Sequence, residues 1–90
     1  MQIRVPGSAI HPGEVLIEDF LMPKAITQKE FAKKLGWTAA KLNELIKGKR
    51  SVTVDSALAL SKALRTSPEF WLSLQMHHDL AVVSKRKRRA

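Results

Sequence analysis

Ninety residues fit one domain, and 44% hydrophobic with 27% charged composition places the chain among soluble globular proteins. There is no cysteine, which excludes disulfides and thiolate metal sites, and no apolar run approaches the roughly 18 residues of a membrane span. The formal charge of +8 suggests a polyanionic partner, but KRKRR at Lys85 to Arg89 carries five of those charges and leaves +3 for residues 1–84.

Residues 1–10, MQIRVPGSAI, have no helical period and contain Pro6 and Gly7, so they read as an extended lead-in. No signal-peptide core is visible there, and the cytoplasm is the expected compartment. HPGE then opens a first helix, with Pro12 suited to the first position and Glu14 to the positive end of the helix dipole. Val15, Leu16, Phe20 and Leu21 form its apolar stripe, and Pro23 stops it near Met22.

A second helix starts at TQKE, where Thr27 and Glu30 have the spacing of a capping box. Phe31, Ala32 and Leu35 face inward, and Gly36 supplies a left-handed stop. Only Trp37 separates Gly36 from Thr38, the cap of a third helix, so the two helices cross steeply as in a helix-turn-helix. Trp37 either packs against the second helix or stacks on a partner.

The third helix runs from Ala39 to about Lys47, with Gly48 past its end. At about 100° per residue, Leu42, Leu45 and Ile46 cluster on the core side. Ala40, Asn43, Glu44 and Lys47 lie opposite, flanked by Ala39 and Lys41. Thr53 caps a fourth helix whose apolar residues are Val54, Ala57, Leu58, Leu60, Ala63 and Leu64. Ser67, Pro68 and Glu69 start a fifth.

That last helix carries two apolar stripes. Phe70, Trp71, Leu74, Ala81 and Val82 fall within about 120° of arc and face the core. Leu72, Met76, Leu80 and Val83, spaced four, four and three, form the second. Ser73 and His77 divide the stripes along one edge, Gln75 and Asp79 along the other. An outer helix of a small domain needs one stripe only, so the second implies a partner, and a second copy of the chain is the simplest. Cover by the lead-in is the competing reading. Residues 11–83 thus form one helical domain, and 84–90 a basic tail expected to be disordered and solvated unless it touches nucleic acid.

Catalytic and metal chemistry find little support. Ser51, Thr53 and Ser56 have no histidine or carboxylate at a spacing that would activate them. His77 and His78 point about 100° apart on a helix and do not jointly grip an ion, and His78 falls on the core stripe as a buried histidine. No enzyme, metal, cofactor or small-molecule substrate is expected.

TQKEFAKKLGWTAAKLNELIKGKR is similar to the helix-turn-helix of lambda-repressor-like (XRE, Cro/C1) domains. HPGEVLIEDFL, NELIKGKRSVT and TSPEFWLSLQMHHDL resemble HigA-type antitoxins, the VapI family, over about residues 11–80. The resemblance implies an all-α, five-helix domain that dimerises through its C-terminal helix. It implies binding to a palindromic operator upstream of its own operon, and neutralisation of a HigB-type toxin, a RelE-like ribonuclease that cuts mRNA.

Carried over by position, Gln28 falls at a phosphate or orienting contact. Thr38, Ala39, Ala40, Lys41 and Glu44 fall where the family reads bases or adjoining phosphates. Asn43 and Lys47 share that face by the helical wheel, and Lys49 and Arg50 follow as phosphate contacts. Ala39 and Ala40 depart from the amide or guanidinium side chains that often stand there. Alanine meets only a thymine methyl, so direct readout is expected to be sparse, with Lys41 and Asn43 carrying it and DNA shape supplying the remainder. Glu44 either accepts from cytosine or braces Lys41 or Lys47 within the helix. Two other readings stay open: a solitary regulator of this fold without a toxin, and a protein-binding module that has lost operator recognition. With only short ends, any grip on a toxin is expected to use the folded domain, at the first helix and lead-in.

Overall fold

Local signals in the sequence set the helix boundaries, and the fold follows from how those helices share one core. The computed structural model describes residues 10–89, with side chains through Lys87; all but the last residue of the lead-in lies outside them. In chain order the elements are α1 (Pro12–Val15), continued directly by a π-helical segment (Leu16–Leu21), then α2 (Gln28–Leu35), α3 (Ala39–Ile46), α4 (Val54–Leu64) and α5 (Pro68–Arg89). With α1 and its continuation counted as one helix, this is the expected five-helix, all-α fold. No strand occurs among the described residues.

The π-helical stretch was not foreseen. Residues five apart lie about 140° from each other on a regular α-helix, yet Leu16 and Leu21 are both fully buried. Widening the turn to the i→i+5 pattern, seen where the Met22 amide reaches the Ile17 carbonyl at 2.9 Å, brings both onto the core side. Pro23 follows directly and has no amide with which to prolong the helix.

The predicted caps form. The Glu30 amide donates to Thr27 Oγ1 at 3.1 Å and the Thr27 amide to Glu30 Oε1 at 3.0 Å, which holds the Glu30 carboxyl below its ordinary range. Gly36 takes φ 74° and ends α2, and the Trp37 amide turns back to the Ala32 carbonyl at 2.9 Å. Thr38 caps α3 through the Lys41 amide at 3.1 Å. Thr53 and Ser56 form a second reciprocal box on α4, and Ser67 accepts from the Phe70 amide at 3.1 Å.

Phe31, Leu42, Leu45, Leu60 and Trp71 meet in the centre with Leu16 and Leu21. Phe20 lies 6.2 Å from Phe70 and 5.4 Å from Trp71 between ring centroids, so the first and last helices close the core through aromatic edges. The Trp71 indole donates to Thr66 Oγ1 at 2.7 Å, which leaves a completely buried ring with its polar atom satisfied.

Some features of α5 differ from the expectations. The basic tail is not a disordered appendage among the described residues: α5 runs on to Arg89. Nothing in SKRKRR breaks a helix, lysine and arginine are good helix formers, and cations at a helix C-terminus favour the dipole. Gln75, placed at a stripe edge, is buried, because its carbonyl takes the Val52 amide at 2.7 Å and its amide reaches Asp79 at 2.9 Å. Val54 and Leu58 of α4 face solvent, 61% and 51% exposed, since Ala57 and Leu60 occupy the inward side of that helix.

Candidate nucleic-acid interface

The short turn between α2 and α3 fixes one surface on which most of the predicted residues gather. Thr38, Ala39 and Ala40 are exposed at the start of α3, and Lys41, Asn43 and Glu44 are half-buried along it. Lys47 and Lys49 lie exposed beyond its end. Burial of Leu42 and Leu45 on the opposite side holds this face outward.

The face is more internally paired than its sequence suggested. Asn43 Nδ2 donates to Gln28 Oε1 at 3.2 Å, linking the start of α2 to the middle of α3. Each amide thereby orients the other, and the remaining donor of Asn43 and the NH2 of Gln28 stay available. The Lys41 ammonium sits 4.4 Å above the Trp37 ring, so the turn tryptophan both packs on the core and steers a cation. Glu44 pairs with neither lysine of its own helix. Arg50 reaches back across the loop and its Nη2 meets Glu44 Oε1 at 2.6 Å, with Nε at 3.2 Å. Both side chains are about half exposed, so the pair contributes at most about 1 kcal/mol and gives way readily to a stronger anion.

The loop after α3 is anchored from behind. Gly48 has φ 76°, and the Lys49 amide donates to the Glu44 carbonyl at 2.8 Å. A Cβ placed on Gly13 would stand 2.0 Å from the Leu45 carbonyl oxygen and 2.8 Å from Ile46 Cα. The first turn of α1 therefore lies directly on the backbone at the end of α3. His11, only 5% exposed, caps that turn by accepting the Gly13 amide on Nδ1 at 2.9 Å. Its ring meets His78 of α5 edge-on, with centroids 4.9 Å apart. His78 is thus half-buried, less enclosed than its position on the core stripe implied.

Sequence reasoning missed His11, Gly13 and Gln75. The signal for Gly13 was present: glycine is a poor helix former, and one inside a first turn points to a close backbone approach.

Burial, and then the neighbouring His78, push the His11 imidazole below its ordinary value of 6.5, against the opposing pull of Asp79, Glu14 and the Arg50 backbone. The folded state thus favours neutral His11, while the unfolded chain takes a proton near 6.5. The stabilisation is complete above that pH and is lost as pH falls from there through the lower folded value. Chemical denaturation at pH 7.5 and pH 5 should show a lower midpoint at pH 5. His11→Asn should remove that part of the difference, and an unchanged pH dependence in the variant would show that His11 is not its source.

Among the described residues no group of three or more histidines and carboxylates is placed to hold a metal ion, and no helix is long and apolar enough to cross a membrane.

Residues 17–71, more than half of the chain, match the family model described as Helix-turn-helix. Virulence-associated protein I of Dichelobacter nodosus is 34% identical over 79 residues, covering 88% of this chain and 73% of that protein. The antitoxin HigA of Pseudomonas aeruginosa, solved with the higBA promoter, superposes with a TM-score of 0.84 at 32% identity over 90% of this chain and 88% of its own. A HigA-family addiction module antidote protein of Coxiella burnetii gives 0.83 at 36% identity, again over 90% and 88%. The chain belongs to the helix-turn-helix family, within its HigA-type (VapI) branch.

Proposed function

We propose that this chain is the antitoxin of a toxin–antitoxin pair, which binds a palindromic operator as a dimer, represses its own operon, and neutralises a HigB/RelE-like mRNA-cleaving toxin by direct binding. The observation that carries the reading is the outward face of α3, with the Lys49–Arg50 loop beside it, on a fold shared with an antitoxin solved on its promoter. A helix of this exposure fits the major groove, where base edges carry distinct donor and acceptor patterns. Thr38 and Lys41 stand at the end that usually approaches the bases. The joined amides of Gln28 and Asn43 form one polar unit that serves adenine readout or backbone orientation. Lys47, Lys49 and Arg50 supply charge for phosphates.

Dimerisation rests on Met76, Leu80 and Val83, which are exposed along α5. Leu72, expected in the same stripe, is half-buried and packs partly on the core of its own chain.

The test is binding to duplexes from upstream of the chain's own reading frame. Asn43→Ala should relax preference at one position per half-site by roughly 1–3 kcal/mol. Gln28→Ala should have the same effect, and the double variant little more, because the two act as one unit. Lys47→Ala should weaken all sequences about equally. Operator variants ranked identically by wild type and Asn43→Ala would leave the α3 face a positioning surface only. Co-expression with the neighbouring reading frame tests the other half: relief of growth arrest and co-purification support the antitoxin reading. A neighbour that is not toxic favours a solitary regulator.

A further inference from the structure

We infer that Arg50 is a positioning residue for Glu44, and that the pair together reads cytosine. Arg50 holds one carboxylate oxygen and neutralises the group, while the other oxygen takes the cytosine amine in the major groove. The inference rests on the operator-binding reading and deepens it.

The hold is one-sided. Arg50 Nη2 donates to Glu44 Oε1 at 2.6 Å, and Nε donates to the same oxygen at 3.2 Å. Both prongs fall on one atom, so no hydrogen bond among the described residues occupies Oε2 of Glu44 or Nη1 of Arg50. The pair thus keeps one acceptor and one donating edge for a ligand. Both side chains are about half exposed, so the ligand can reach them. Ala40, one turn earlier on the same stripe of α3, is exposed and carries only a methyl. That leaves room beside the carboxylate toward the end of the helix that usually approaches the bases.

The chemistry then selects the base. A carboxylate only accepts, and the donors on major-groove edges are the amines of cytosine and adenine. Adenine sets its N7 acceptor beside the amine, where it repels the carboxylate, whereas cytosine has a C–H there. A bare carboxylate among phosphates is itself repelled, and the Arg50 guanidinium cancels that charge at contact distance. The lysines of the same helix do not take this part. The Lys41 ammonium lies 4.4 Å above the Trp37 ring, and Lys47 forms no ion pair with Glu44.

The test uses duplexes from upstream of the chain's own reading frame, with each base pair varied singly. Wild type should favour cytosine at one position per half-site by roughly five- to tenfold, the low end of a specific base contact. Arg50→Ala and Glu44→Ala should both abolish that preference, yet move nonspecific binding in opposite directions. Arg50→Ala weakens it, while Glu44→Ala strengthens it by removing a carboxylate and freeing the guanidinium for phosphate. For the cytosine preference the double variant should lose no more than either single one, because the two residues act as one unit. Arg50→Lys keeps the charge but not the two-pronged hold, and should retain overall affinity with a reduced preference. Both sites are on the surface, and unchanged melting of the variants separates these effects from unfolding. A cytosine preference that survives Arg50→Ala makes Arg50 a phosphate contact only and overturns the inference. Specific binding by wild type without a cytosine preference also overturns it and leaves the operator reading standing. A wild type with no specific binding to any of these duplexes sinks the operator reading and this inference with it.

Discussion

Gly13→Ala is expected to lower the melting temperature by roughly 8–24 °C, from overpacking of about 3 kcal/mol only partly offset, in a domain of this size. The new methyl would stand 2.0 Å from the Leu45 carbonyl oxygen, and both partners are backbone, so no rotamer change relieves the overlap. α1 must move away from the end of α3. That movement opens the core beneath Val15 and Leu16, both buried. Alanine's better helix propensity recovers at most about 1 kcal/mol. Gly36→Ala is the control: a Cβ there meets nothing within 4 Å, although φ is +74°, so its cost is the left-handed strain of about 1–2 kcal/mol alone. Thermal unfolding followed by circular dichroism compares the two. A Gly13→Ala loss no larger than that of Gly36→Ala would mean that α1 slides on α3 without penalty, and the close packing would not be a constraint.

Much of this architecture was legible because its signals are local. A capping box joins residues three apart, so Thr27 with Glu30 is visible in the chain itself, and Gly36 marks the stop that α2 requires. The inward residues of α2 and α3 follow from a helical period with no knowledge of the partner helix. The helix-turn-helix was therefore predictable as an arrangement, since two caps separated by one residue leave little choice of crossing.

What the sequence did not show depends on groups distant along the chain. Gln75 looks like an ordinary edge residue until Val52, 23 positions earlier, is placed beside it. Glu44 had two lysines at helical spacing, yet Arg50 won because the turn at Gly48 folds the loop back over α3. The π-helical turn answers to where Leu16 and Leu21 must go, and composition does not encode it. At the interface the face was found, while the pairing of Gln28 with Asn43 was not. That pairing changes what either amide offers to a base.

Two glutamates on the outer stripe of α5, Met76→Glu with Leu80→Glu, should convert the proposed dimer to monomers and weaken binding to the full operator by roughly 10²–10⁴-fold, the gain that linked half-sites supply. Met76 and Leu80 are 51% and 58% exposed, so in the single chain these changes place charge in water and should leave the fold intact. In a two-fold interface each substitution is met twice, and the four carboxylates repel while forfeiting their apolar packing. Leu72 is unsuited to this test despite its position in the stripe. It packs partly on its own core, and a carboxylate there would destabilise the monomer and confuse unfolding with dissociation. Val54 and Leu58 are exposed as well, on α4, the helix packed against α5. Leu58→Glu should therefore also loosen the dimer if the partner spans both helices, and should be silent if it meets α5 alone. Sedimentation at micromolar concentration reads the assembly, and titration of one half-site against two reads its consequence. Affinity for an isolated half-site should be unchanged, because the α3 face is not touched. A Met76→Glu, Leu80→Glu chain that still sediments as a dimer would move the association to another surface, and the loss of operator affinity would have to vanish with it.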